Sequence, residues 1–116
     1  MNILIVDDEP IITVLAQRVL SKKGWQVLTA NSLEEAKAKL GPFDVVVADI
    51  RLPNGDGRHL RALYPDVPFI VISGDASQSP DLVKPFDPEQ LVEKLEAILP
   101  NDKALDAAKS KMEKPQ

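Results

Sequence analysis

The chain has 116 residues, of which 44% are apolar and 28% charged, with a formal net charge of −4 and no cysteine. That balance belongs to one ordinary globular domain with residues enough for a single core; it excludes disorder, disulfide scaffolds and thiolate metal sites. No apolar run approaches the ~20 residues of a membrane span, Asp7 and Asp8 come too early for a secretory leader, and no basic patch points to nucleic acid, so the cytoplasm is the expected compartment.

Residues 3–6 (Ile-Leu-Ile-Val) form a wholly apolar run and read as a strand buried on both faces. A helix opens at Pro10, which suits a first turn, and Gly24 stops it. Its expected core face is Ile11, Ile12, Leu15, Val19 and Leu20. Trp25–Thr29 alternates as a second strand, Trp25 being a packing residue. Ser32-Leu33-Glu34-Glu35 is a capping-box signature for a short helix with the stripe Leu33, Ala36 and Leu40, ending at Gly41.

Asp44–Asp49 is the third strand, and Leu52-Pro53-Asn54-Gly55-Asp56-Gly57 is too dense in turn formers to be anything but a loop. A short helix through Leu60 and Leu63 follows, halted by Pro65; His59 on it reads as a surface residue. Phe69–Ser73 is a fourth buried strand, 74–81 a polar loop with Pro80, and Leu82-Val83-Lys84 a brief fifth strand. Asp87-Pro88-Glu89-Gln90 caps a last helix, with Leu91, Val92, Leu95, Ile98 and Leu99 facing the core. The expected organisation is one domain over residues 1–100 and a charged tail over 101–116, a frayed helix or linker with a thin stripe of Leu105, Ala108 and Met112.

Strands alternating with amphipathic helices predict an α/β fold, a five-stranded parallel sheet wound on both faces. The order 2-1-3-4-5 is one of the two common doubly wound orders, and it puts a ligand crevice at the carboxyl ends of strands one and three. Asp7, Asp8 and Asp49 then converge there, with Ser73 and Lys84 ending strands four and five. Three carboxylates in one crevice repel unless a cation compensates. A hard divalent ion fits, and Mg²⁺ typically takes one or two carboxylates, keeps waters and shares phosphate oxygens. Acid nucleophile, metal, hydroxyl and ammonium together describe a phosphoryl site.

These residues carry a resemblance. Asp7-Asp8-Glu9, then Asp49-Ile50-Arg51-Leu52-Pro53-Asn54-Gly55-Asp56-Gly57, Ser73-Gly74 and Lys84-Pro85-Phe86 are similar to the signature of response-regulator receiver domains, over nearly all of residues 1–100. The resemblance implies that Asp49 accepts a phosphoryl group from a sensor histidine kinase or histidine phosphotransfer protein, switching a protein–protein interaction. It implies Mg²⁺ held by Asp8 directly, by Asp7 through water, by Asp49 and by the main-chain carbonyl of Arg51. Ser73 and Lys84 would bind phosphoryl oxygens, Arg51 and Asp75 would tune its lifetime, and Pro53 and Gly57 would shape the loop. Catalysis would be self-directed and single-turnover, so the chain is not read as an enzyme.

Three rivals bear weighing. A haloacid-dehalogenase-type phosphatase wants an aspartate two residues after the nucleophile, where Arg51 stands. A flavin or nucleotide binder wants a glycine-rich loop after strand one. The third alternative is a non-phosphorylated pseudo-receiver, a protein-interaction module that keeps the fold. One departure from the family matters: only residues 74–83 separate Ser73 from Lys84, where receivers fit a full helix, and Asp81 stands where an aromatic is common. Eight extended residues reach about 26 Å at most, so 74–81 is expected to return to the bottom of the sheet nearly straight. The fourth helix is predicted missing, its place taken by an irregular, mobile arm that orders over the phosphorylated site.

Overall fold

The computed structural model describes residues 1–39 and 41–98. The elements run β1 (Asn2–Val6), α1 (Pro10–Ser21), β2 (Gln26–Ala30), α2 (Leu33–Ala38), β3 (Val45–Asp49), a two-residue pair β4 (Arg51–Leu52) and β5 (Gly55–Asp56), β6 (Phe69–Ser73), β7 (Leu82–Val83) and α3 (Pro88–Ile98). A 3-10 helix spans Gly57–Ala62 and a 3-10 turn Ala76–Gln78. The parallel sheet has the order β2-β1-β3-β6-β7, which is 2-1-3-4-5 once the small antiparallel β4–β5 pair is set aside.

Period-two alternation splits each central strand between two cores. Ile3, Ile5, Val45, Val47, Ile70 and Ile72 face α1 and α3, where Leu20, Leu91 and Leu95 meet them. Leu4, Val6, Val46 and Ala48 face the other way, against Leu33, Ala36 and Leu60. Burial on both faces is why these strands are apolar throughout. The capping box holds α2 as the sequence predicts. Ser32 Oγ accepts from Glu35 N at 3.0 Å, and Glu35 Oε1 accepts at 2.8 Å from Asn31 N, one residue earlier than the usual return bond. Trp25 lies just before β2, packed against the core margin.

Several expectations are corrected. The inward face of α1 is Thr13, Ala16 and Leu20 with Ile12 and Val19 at its flank, whereas Ile11 is 66% and Leu15 40% exposed. The small side chains of Thr13 and Ala16 take the buried face, and the larger Ile11 and Leu15 turn outward. The helix expected through Leu60 and Leu63 is the 3-10 segment Gly57–Ala62; Leu60 is buried, but Leu63 is half exposed.

Residues 74–81 contain no α-helix, only the turn Ala76–Gln78, so the fourth helix is missing as predicted. Its length problem is solved differently from the expectation. The chain does not run straight to the bottom of the sheet: β7 is cut to two residues and pairs only at Ile72↔Leu82 and Ser73↔Val83. Below that, Asp81 closes the edge of β6. Its N–H donates to Val71 O at 2.8 Å, and its carboxylate accepts from Val71 N at 2.7 Å. The expected tail, 101–116, and the expected core positions Leu40 and Leu99 lie outside the described residues.

Candidate functional site

Strand parity assembles the site. Ile3, Ile5 and Asp7 are successive same-side positions, Asp7 N still bonding Ala30 O at 3.0 Å as if the strand continued. Val45, Val47 and Asp49 follow the same rule in β3, as do Leu82 and Lys84 at β7. The pairing Val6↔Ala48 sets Asp7 and Asp49 level at the carboxyl edge. The chain then continues through β4 and β5 and returns under Asp49. Gly57 N bonds Ile50 O, and a Cβ on Gly57 would stand 2.1 Å from Asp49 O. Only glycine admits that approach.

The acceptor candidate is held at both oxygens. Asp49 Oδ1 accepts from Arg51 N at 3.1 Å, and Oδ2 accepts from Lys84 Nζ at 2.6 Å. Lys84 Nζ also lies 2.6 Å from Glu9 Oε1 and 2.8 Å from Asp7 Oδ2. Asp7 Oδ1 accepts from Glu9 N at 2.9 Å, whereas the buried Asp7 Oδ2 has only the 2.8 Å Lys84 contact, which is off hydrogen-bond geometry. Ser73 Oγ accepts from Asp75 N at 3.0 Å, which leaves its own proton free to donate. Asp75 then caps the 3-10 turn through Ser77 N and Oγ.

The charges are unbalanced. Asp7, Glu9 and Asp49 put three carboxylates on the Lys84 ammonium, Asp8 adds a fourth acid at the cleft, and among the described residues lining it Arg51 is the other cation. Burial raises the Asp7 pKa above its ordinary value, with the Asp49 charge adding to it, while Lys84 and the Glu9 N–H pull partly the other way. Burial works to lower Lys84, but its bonds to Asp49, Asp7 and Glu9 outweigh that and raise it. Side-chain and main-chain bonds from Ser77 lower Asp75, with Arg51 helping.

Asp7, Asp8 and Asp49 each offer an oxygen within 4.8 Å of the others. That spacing, the oxygen-only donor set and the orphaned Asp7 Oδ2 fit a hard divalent cation. A cleft of about 750 Å³ opens above them, lined by Asp8, Asp49, Arg51, Ser73, Asp75 and Lys84 among others. The structure thus brings together every site residue the sequence singles out: Lys84 bridges Asp7 and Asp49, Arg51 N bonds Asp49, Asp8 lies within the acidic cluster, and Ser73 lines the rim. Sequence reasoning gave Glu9 and Asp81 no role. For Glu9 the signal was its place beside Asp8; for Asp81, a contact across sheet neighbours, there was none.

The family profile described as "Response regulator receiver domain" matches residues 3–96. The transcriptional regulatory protein TrcR of Mycobacterium tuberculosis is 37% identical over 85% of this chain and 45% of its own length. The chain spans about half the length of the curated relatives it matches. Among solved structures, a CheY-like receiver domain protein from Methanospirillum hungatei aligns with TM-score 0.77 and 28% identity, over 89% of this chain and 96% of that one. The response regulator TrrA of Thermotoga maritima, solved in complex with Mg²⁺–BeF, aligns with TM-score 0.71 and 32% identity, over 84% and 98%.

Proposed function

We propose, for a chain that belongs to the response regulator receiver domain family, that Asp49 accepts a phosphoryl group and that the change is read by a partner protein. The observation that carries this is the acceptor's setting. Asp49 is buried, oriented by Arg51 N and Lys84 Nζ, and within reach of two further carboxylates. Receivers are signalling modules and not ordinary enzymes, so the transfer is self-directed and single-turnover.

The donor is a phosphohistidine on a sensor histidine kinase or phosphotransfer protein. An Asp49 carboxylate oxygen forms a bond to phosphorus while the P–N bond breaks. The electron pair leaves with the imidazole nitrogen, which takes a proton from water. Positioning and charge neutralisation are most of what this chemistry needs. Lys84 neutralises an equatorial oxygen, Ser73 Oγ donates its free proton to another, and Arg51 N keeps the carboxylate from rotating. Mg²⁺ would be held by Asp8 and Asp49, by Asp7 through water and by the Arg51 carbonyl, and would supply further charge neutralisation. The BeF-bound relative supports that reading for Mg²⁺. No helix among the described residues is long and apolar enough to cross a membrane, and the reading places the domain in the cytoplasm.

With Mg²⁺ and a small acyl-phosphate donor, the protein should acquire one base-labile acyl phosphate, and Asp49→Asn should abolish it. Wild-type rates of labelling in Asp49→Asn would refute the assignment.

A further inference from the structure

The Glu9 side chain has no helical duty, although its main-chain carbonyl accepts from Ile12 N and Thr13 N. Glu9 is the N-cap of α1, where short oxygen-bearing side chains usually accept from the first helical N–H groups. Its carboxylate makes no such bond. It reaches instead across the cleft to Lys84, 75 residues away, at 2.6 Å. Of the three acids on that ammonium, Glu9 alone is largely solvent-exposed, at 54%, against 0% for Asp7 and 7% for Asp49.

The three contacts do not stand in the same relation to the chemistry. Asp7 and Asp49 belong to the cluster that fits a divalent cation. When a cation draws on those carboxylates, Glu9 is the one partner left to hold Lys84. The same contact competes for the ammonium with Asp49, whose Oδ2 lies at an equal 2.6 Å.

We infer that Glu9 is a positioning residue that shares the Lys84 ammonium with Asp7 and Asp49, favouring divalent-cation binding at Asp7, Asp8 and Asp49 and competing with the phosphoryl group for Lys84. The inference rests on the phosphoacceptor reading only in its second half. Removing the Glu9 charge takes an anion from the mouth of the cation cluster and leaves Lys84 to Asp7 and Asp49 alone, and both effects weaken Mg²⁺. With Mg²⁺ saturating, the same removal frees Lys84 for the phosphoryl oxygens and takes an anion from the path of an anionic donor, and both effects favour the phosphoryl group. Two opposite shifts from one substitution are the signature. A loosened fold would weaken both.

The experiment compares the wild-type chain with Glu9→Gln and Glu9→Asp by calorimetric titration of Mg²⁺ alone, then of fluoroberyllate at saturating Mg²⁺, with NMR of the lysine ammonium signals. Glu9→Gln should weaken Mg²⁺ by roughly two- to fivefold and tighten fluoroberyllate by a similar factor, the range of a single partly exposed charge contact. The Lys84 ammonium signal should shift. Glu9→Asp keeps the charge but is one methylene shorter; it should tighten fluoroberyllate while leaving Mg²⁺ near wild type. An unmoved Lys84 signal in Glu9→Gln, or shifts of both affinities in one direction, overturns the inference. If the wild-type chain takes no fluoroberyllate, the phosphoacceptor reading fails, and the Mg²⁺ titration with the Lys84 signal still decides the contact and its effect on the cation.

Discussion

Asp7 is the residue most at odds with its surroundings. Its carboxylate is fully buried, one oxygen has no hydrogen bond, and burial raises its pKa above the ordinary 3.8. A raised folded-state pKa means that the group favours the fold fully below pH 3.8 and that this contribution is lost as pH rises through the folded value. At neutral pH the ionised Asp7 therefore costs stability. Asp7→Asn in a chelator should be more stable than the wild-type chain, read as a raised Tm. The gain should fade near pH 3, where wild-type Asp7 is protonated, and should reverse in Mg²⁺ if the carboxylate serves the cation. Thermal melts at pH 3 and 7, with and without Mg²⁺, check all three. Gly57 makes a second test. A methyl group there meets main-chain oxygen and not a flexible side-chain end, so Gly57→Ala should cost about 1–3 kcal/mol, read from urea unfolding. Asp7, Asp49 and Lys84 were legible in the sequence because strand parity and strand-end position are one-dimensional facts. Glu9 was not, since its meaning depends on a lysine 75 residues away.

At the scale of elements, the strands and the outer helices were readable because apolar runs and caps leave local marks. The rotation of α1 was not. Ile11, Ile12 and Leu15 look like a core face, yet Ala16 and Thr13 take the buried positions, and that choice is not written in hydrophobicity. The 3-10 form of 57–62 was hidden for a similar reason: Gly57 must sit under Asp49, and the segment is drawn tight to keep that approach. The edge of β6 shows what a shortened strand requires. Val71 is buried, and both its main-chain groups are satisfied by Asp81 alone. Asp81→Ala strands the Val71 N–H at a cost of about 1–3 kcal/mol. Hydrogen exchange at Val71 should accelerate by roughly 10-fold or more for each ~1.4 kcal/mol lost. Asp81→Asn retains an acceptor oxygen and should lose less. Equal exchange in wild type and Asp81→Ala would show that the clip does not hold the edge.

For the molecule as a whole, the question is what a phosphoryl group at Asp49 can move. Chain length alone announced the missing fourth helix. It could not announce that β7 would shorten, because the distance argument assumed a strand of ordinary length. The result is an arm fixed at two points. At one end Ser73 Oγ accepts from Asp75 N; at the other Asp81 clips Val71. Between them Gly74, Ala76, Ser77, Gln78 and Ser79 are all exposed, and Ser79 sits at φ 54, a left-handed conformation uncommon outside glycine. Few buried contacts and a strained turn place this arm at the low end of local stability. The first anchor is made by the hydroxyl proposed to donate to the phosphoryl group, while the second lies on the β6 edge, away from it. Activation should therefore act on residues 75–79 and spare Asp81. Fluoroberyllate with Mg²⁺ should slow amide exchange across 75–79 as the arm orders over the occupied cleft, with little change in the 3-10 segment 57–62. Ser73→Ala should take up the mimic more weakly and lose the protection. Exchange that is unchanged across 74–81, or largest at 57–62, would place the response elsewhere in the domain.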